Sequence, residues 1–311
     1  MEYSDNEPIQ EGRMNSIYKA ILLLSMALLG FVIIGPLIGF LLSLPFLNAT
    51  LLEIQNIMSN PGSHPDGKLL LYFMQGGATL GMLITPFLYV RAKQIYNSED
   101  FFKGSLTPFS LPLAFIITIA FMGVNSIFIE WNANLTFPEF MKGFEEWARA
   151  YEKAGEKMTL FLTDFHSFGE MLIALVLIAI FPAIAEEYVF RGLVQKKIFE
   201  GSQNIHLAIW VSAILFSAIH MQFFGFVPRM LLGALFGYLY FWSGNFWVPV
   251  VAHFANNGFT IVMIFMANNG VIDYEIQNTE SPTLTTVGIF SIITFGLIYY
   301  FRRLHTNTLN G

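Results

Sequence analysis

Cysteine is absent from the 311 residues, which excludes disulfides, thiolate nucleophiles and Cys-ligated metals. Charge is scarce as well: only 12% of residues are Asp, Glu, Lys or Arg, against about 25% in ordinary soluble domains. No basic patch occurs, so nucleic-acid binding is excluded. None of the six His residues opens a His-Glu-x-x-His zinc motif. No Gly-x-Ser-x-Gly elbow exists, and no Asp falls inside a long apolar run, which removes an intramembrane aspartyl dyad. Internal repeats are missing too, so the inverted-repeat signature of a transporter is not met.

What fills the chain instead is apolar: 55% of the residues are hydrophobic, and 16% of the whole chain is aromatic. Runs long enough to cross a bilayer, about 20 residues each, fall at 17–47, 69–91, 107–129, 168–198, 205–223, 226–243, 247–269 and 284–301. The expected fold is therefore all-α, a polytopic membrane protein of about eight transmembrane helices. Its expected parts are a polar N-terminal segment (1–16), helices 1–3 (17–129), an extracytoplasmic loop (130–167), a core of helices 4–7 (168–269), and helix 8 with a C-terminal tail (270–311). Gly35-Pro36 predicts a kink in the over-long first span. The first apolar run is too long for a signal-peptide core and is expected to stay as a span.

Loop charges orient the bundle. Arg13, Lys19, Arg91, Lys93, Lys103, Lys196, Lys197, Arg302 and Arg303 fall on the side that holds the termini. The opposite side has Lys68, Arg229 and a long loop in which acids outnumber bases. The positive-inside rule then predicts cytoplasmic termini, in what reads as a bacterial cytoplasmic membrane. Within the loop, Thr136-Phe-Pro-Glu139 has the form of a capping box. Phe140, Phe144, Trp147 and Tyr151 follow at helical spacing, which predicts an amphipathic helix on the outer membrane surface or against the bundle. Ser167-Phe-Gly-Glu170 predicts a second capping box where the fourth span starts.

Chemistry concentrates in three stretches. Glu186 and Glu187 are adjacent carboxylates ending the apolar run Met171–Ala185, where ionisable groups are costly and usually functional. Glu187 and Arg191 are four apart and share a helix face, which suits an ion pair. Glu186 points about 100° away and is left to a partner on another span. Pro182 removes a backbone hydrogen bond and predicts a kink just before it. His220 follows the turn Glu200–Asn204 by about as many residues as Glu186 precedes it, so an antiparallel hairpin puts both roughly 20–25 Å from the turn. His253 and Asn257 share one face of the seventh span and can donate hydrogen bonds to an oxyanion. Gly233 and Gly237 predict close helix packing; Asn256 and Asn268 are assigned structural roles. A buried carboxylate such as Glu186 can act as general base towards water.

The stretches Glu186-Glu187-Tyr-Val-Phe-Arg191, Phe216-Ser-Ala-Ile-His220 and His253-Phe-Ala-Asn-Asn257 resemble the CPBP family of intramembrane proteases. That family includes the type II CAAX prenyl endopeptidases and the bacterial Abi-type proteins. The resemblance covers about 168–260. It implies a glutamate-type endopeptidase with Glu186 as base, His220 holding the water, and His253 with Asn257 as the oxyanion site. Glu187 and Arg191 support that site, and no metal is required. The implied partners are membrane lipids and a membrane-associated or lipidated peptide. Two alternatives use the same residues: a metal-dependent protease, and a non-catalytic membrane protein that binds a partner or confers immunity.

Overall fold

The computed structural model describes residues 13–104, 106–165, 167–273 and 278–307. Most of the polar N-terminal segment and the last four residues lie outside that range. Among the described residues the chain is helical and forms no sheet. Seven helices are long and apolar enough to span a membrane: α1 (Met14–Phe46), α3 (Gly67–Ala92), α4 (Ser110–Ala133), α6 (Phe168–Ser202), α8 (Phe223–Ser243), α9 (Trp247–Asn268) and α10 (Leu284–His305). Among the described residues three shorter or amphipathic helices lie between them, α2 (Leu51–Ser59), α5 (Lys142–Leu162) and α7 (Ile205–Ala218). The apolar side chains face outward along much of the bundle, as Val32, Ile33 and Leu41 of α1 and Ile289, Ile292 and Phe295 of α10 do. That pattern suits lipid as the surrounding solvent, because helices satisfy their own backbone groups there.

The expected fifth span is shorter than its apolar run. It forms α7 (Ile205–Ala218), 14 residues and roughly 21 Å long, against a hydrocarbon core of about 30 Å. The helix stops because Met221 takes a left-handed φ of 58°, which a non-glycine residue adopts only at a cost. The chain turns at once into α8, so α7 and α8 form a tight antiparallel hairpin. Sequence periodicity missed this stop because the residues on both sides of it are apolar.

Both predicted proline effects take the same form. Widened π-type turns at Gly30–Ile34 and Leu175–Ile180 precede Pro36 and Pro182. A proline has no N–H to offer the preceding turn, and the slack widens the helix there. A third widened stretch, Tyr188–Gln195, follows directly on Glu187.

One end of the bundle gathers Lys196 on the Asp100 carbonyl, Gly104 N–H on the Gly244 carbonyl (3.0 Å), and Ser110 Oγ on His305 Nε2 (3.0 Å). The start of α1 packs near Lys196–Ser202, so the first described helix begins on the side where the last one ends. At the opposite end, Tyr72 and Asn268 bond the carbonyls of Leu162 and Thr163 at the end of α5.

The loop helix α5 rests on the bundle. Phe144 meets Phe223 edge-to-face at 4.8 Å, Trp147 lies 6.2 Å from Phe223, and the Arg149 guanidinium covers the Phe224 ring at 4.0 Å. Glu152 accepts the Phe224 N–H at 3.1 Å, and burial pushes its carboxyl above the usual range. The Thr136 capping box does not form. Pro138 is extended (ψ 153°), a short 3-10 turn follows at Glu139–Met141, and the helix proper starts at Lys142. Glu145 caps the loop instead, accepting the Phe137 N–H at 2.9 Å. The Ser167/Glu170 box forms as expected.

Asn132 pins the start of α8 to α4: its Nδ2 donates to the Phe223 carbonyl (3.0 Å) and its Oδ1 accepts the Val227 N–H (2.8 Å). Asn132→Ala removes the acceptor of the Val227 N–H, at about 1–3 kcal/mol, and leaves the Phe223 carbonyl with the Phe226 N–H alone. A lower thermal midpoint in detergent is the expected result. An unchanged midpoint would show that the staple contributes nothing.

Candidate active site

Glu187 is fully buried on α6, and Arg191, one turn on, is equally buried. Their ion pair closes at 3.0 Å between Arg191 Nη1 and Glu187 Oε1. Arg191 Nη2 crosses to α8 and donates to the Gly233 carbonyl at 2.8 Å. Gln195, another turn on, reaches the Gly237 carbonyl at 3.3 Å. A Cβ at Gly237 would stand 2.8 Å from Gln195 Oε1 and 2.9 Å from Ile209, so only glycine lets the helices approach this closely. The expected packing role of the glycine pair thus includes offering its carbonyls to α6.

The same Glu187 oxygen also accepts from His253. The Nδ1 of His253 lies 2.8 Å from Oε1, which fixes Nδ1 as the donor and turns Nε2 towards Glu186. Nε2 and Glu186 Oε2 are 3.9 Å apart, too far for a direct hydrogen bond. This link between Glu187 and His253 joins two stretches that spacing alone left separate.

Phe216 explains the aromatic residue four before His220. Its ring meets Phe190 edge-to-face at 5.2 Å, His220 at 5.3 Å and His253 at 5.8 Å, and the Arg191 guanidinium lies 4.8 Å over it. Its carbonyl accepts His220 Nδ1 at 2.8 Å. That bond leaves the Nε2 lone pair of His220 free to accept. His220 therefore stands in the turn after α7, not within a long span. Phe236 of α8 stacks on His253 at 5.4 Å and 22° from the other side. Two aromatic rings and one carboxylate hold the imidazole in place.

Glu186, His220, His253 and Asn257 line one cavity of about 410 Å³. All four predicted residues thus meet. Glu187 and Arg191 sit behind them as the expected pair. Four further polar residues line the same space: Asn125, Arg229, Asn256 and Thr260. Asn256 donates to Asn257 Oδ1 at 3.0 Å, which leaves the Asn257 amide hydrogens for another acceptor. Its place beside Asn257 was the available signal that it shares this space. Asn125 of α4 bonds the Pro228 carbonyl at 3.1 Å. Arg229 lies in the second turn of α8 and lines the cavity, so its count as a loop charge is corrected as well. An Arg just inside an apolar run, directly after Pro228, was the signal for it.

Comparison with known proteins bears on this region. Residues 168–259 match the model of the type II CAAX prenyl endopeptidase Rce1-like family. An uncharacterized protein of Bacillus subtilis, YpbD, is 30% identical over 84 residues, 26% of this chain and 40% of that protein. The putative membrane peptidase YdiL of the same bacterium is 26% identical over 116 residues, 37% of this chain and 46% of that protein. The membrane-embedded CAAX protease MroQ of Staphylococcus aureus is 29% identical over 91 residues, 27% of this chain and 36% of that protein. The chain thus covers less than half the length of each of these relatives. No solved structure matches it significantly.

Removing Arg191 strands a buried carboxylate, so Arg191→Ala is expected to cost about 3–5 kcal/mol. Thermal unfolding in detergent reads this directly. A variant as stable as the parent would mean that Glu187 takes its compensation elsewhere.

Proposed function

We propose that this integral membrane protein hydrolyses a peptide bond in a membrane-associated or lipidated peptide, a reading supported by the match of residues 168–259 to the model of the type II CAAX prenyl endopeptidase Rce1-like family. The observation that carries this reading is the shared cavity, into which three elements bring one carboxylate, two imidazoles and an amide. In the proposed reaction Glu186 removes a proton from a water molecule, and the His220 Nε2 lone pair accepts that water's other hydrogen. The water oxygen then attacks the carbonyl carbon, whose oxygen becomes an oxyanion. His253 and Asn257 donate to that oxyanion, through Nε2–H and the amide of the side chain. For His253 this requires a proton on both ring nitrogens. The Glu187 carboxylate accepts from its Nδ1 and holds the ring so that Nε2 faces Glu186. Glu186 finally returns its proton to the leaving amine, and no covalent intermediate arises.

The mechanism draws on no metal. Among the described residues no group of three His, Asp or Glu side chains is spaced to hold one. Both termini are proposed to face the cytoplasm of a bacterial membrane, since the Lys- and Arg-rich loops share their side.

Glu186→Gln is nearly isosteric and removes the base. It is expected to lower cleavage of a membrane-peptide library by about 10²–10⁴-fold, with chelator leaving the parent unaffected. His253→Gln is expected to lower it by about 10²–10³-fold. Product mass spectrometry reads both. Cleavage that persists in Glu186→Gln would overturn the assignment of the base, and cleavage lost with chelator and restored by zinc would replace the mechanism with a metal-dependent one.

A further inference from the structure

The chain reverses direction immediately after His220, and the reversal is strained. Met221 holds a left-handed φ of 58°, which a non-glycine residue keeps only where its surroundings impose it. The reversal also decides the state of His220. Because the helix breaks here, the His220 N–H bonds the Ser217 carbonyl at 3.3 Å. The Phe216 carbonyl, its partner in a regular helix, is left to the imidazole and accepts from Nδ1 at 2.8 Å. A carbonyl only accepts, so that bond keeps the hydrogen on Nδ1 and the lone pair on Nε2. A turn that relaxed into regular helix would hand the Phe216 carbonyl back to the backbone N–H. Nothing would then hold the ring in that tautomer.

What imposes the turn comes from elsewhere in the chain. The peptide group between Phe223 and Phe224 is gripped from two sides. Asn132 of α4 donates to its carbonyl at 3.0 Å, and Glu152 of α5 accepts its N–H at 3.1 Å. Aromatic contacts from α5 brace the same place: Phe144 meets the Phe223 ring at 4.8 Å, and the Arg149 guanidinium covers the Phe224 ring at 4.0 Å. Gly155, also on α5, lies so near Gln222 that an added Cβ would stand 3.1 Å from its Nε2. Ring packing is not directional, whereas the Glu152 bond fixes the orientation of a main-chain group three to four residues from His220. The far end of α5 is tied down in turn by Tyr72 and Asn268.

We propose that Glu152 is a positioning residue for His220: by holding the Phe223–Phe224 peptide it keeps the reversed turn at Met221, and with it the Nδ1–H form of the imidazole. This rests on the endopeptidase reading, in which the Nε2 lone pair of His220 accepts a hydrogen of the attacking water. Glu152 is not among the residues that line the cavity, so it acts through the turn and not on the substrate. Helix α5 lies outside residues 168–259, so this chain supplies part of the support of its site from beyond the segment that matches the family.

The test is nitrogen NMR of the full chain in lipid bilayers, with isotope-labelled histidine rings. The chain has six histidines, and the His220 signals are those missing from His220→Gln. Above the pH range in which imidazoles titrate, a ring nitrogen that carries hydrogen and one that carries a lone pair resonate far apart, so the tautomer is read directly. The parent is expected to show His220 with its hydrogen on Nδ1. In Glu152→Ala that pattern is expected to give way to a mixture of tautomers, while His253, held by Glu187, stays as in the parent. Glu152→Gln still offers an oxygen to the Phe224 N–H and is expected to restore the parent pattern. Glu152→Leu fills the same space without an acceptor, and is read in the same way where Glu152→Ala does not fold. An Nδ1–H pattern that survives the loss of the acceptor overturns the proposal, as does a Glu152→Gln that behaves like Glu152→Ala. A parent whose His220 carries its hydrogen on Nε2 overturns it without any substitution. Failure of the underlying reading looks different: cleavage would then persist in Glu186→Gln, whatever the state of His220.

Discussion

The site depends on one buried carboxylate. Glu187 has no exposure to solvent, and a lone charge there would be prohibitively costly. Arg191 and His253 both bring a donor to the same oxygen, so three side chains from two helices are held by a single acceptor. Breaking that group leaves an uncompensated ion in the interior, whereas keeping it holds Nδ1 of His253 as the donor and fixes the direction of the ring. Arg191 extends the group to a third helix through the Gly233 carbonyl. The geometry around Glu186 follows from a residue that does not itself line the cavity.

The helix that carries both glutamates is not uniform. Widened turns flank the regular segment Phe181–Glu187 on each side. Pro182 accounts for the first of them, by leaving a carbonyl without its usual donor. The second lies where Arg191 and Gln195 reach across to carbonyls of α8, and π-type turns recur at functional sites elsewhere. Phe216 works in a comparable way from α7. Its ring packs against both imidazoles and its backbone carbonyl orients one of them, so a single residue couples His220 to His253.

The loop helix α5 ties one end of the bundle to this region. Its aromatic face lies on Phe223 and its Glu152 holds the Phe224 amide, in the turn that leads from His220 to Arg229. The amphipathic pattern announced a helix with an apolar face but could not say what that face covers. Lipid and a row of phenylalanine rings are equally good partners for it on composition alone.

Much of the molecule was legible from sequence for reasons that are local. A run of about 20 apolar residues specifies a membrane helix by length and solvation alone, and Ser167 with Glu170 specifies a helix start within four residues. Glu187 and Arg191 meet because helical geometry puts residues four apart on one face. What the tertiary structure decided is every contact whose partners are distant in the chain. The Glu187–His253 hydrogen bond spans 66 residues. The Arg191–Gly233 bond spans 42. Arg229 looked like a loop charge until α8 turned it into the cavity. The short end of α7 rests on a positive φ at Met221, in an apolar stretch that offered no sign of it. Periodicity reports which face of a helix is apolar; it carries no information on which helix that face will meet.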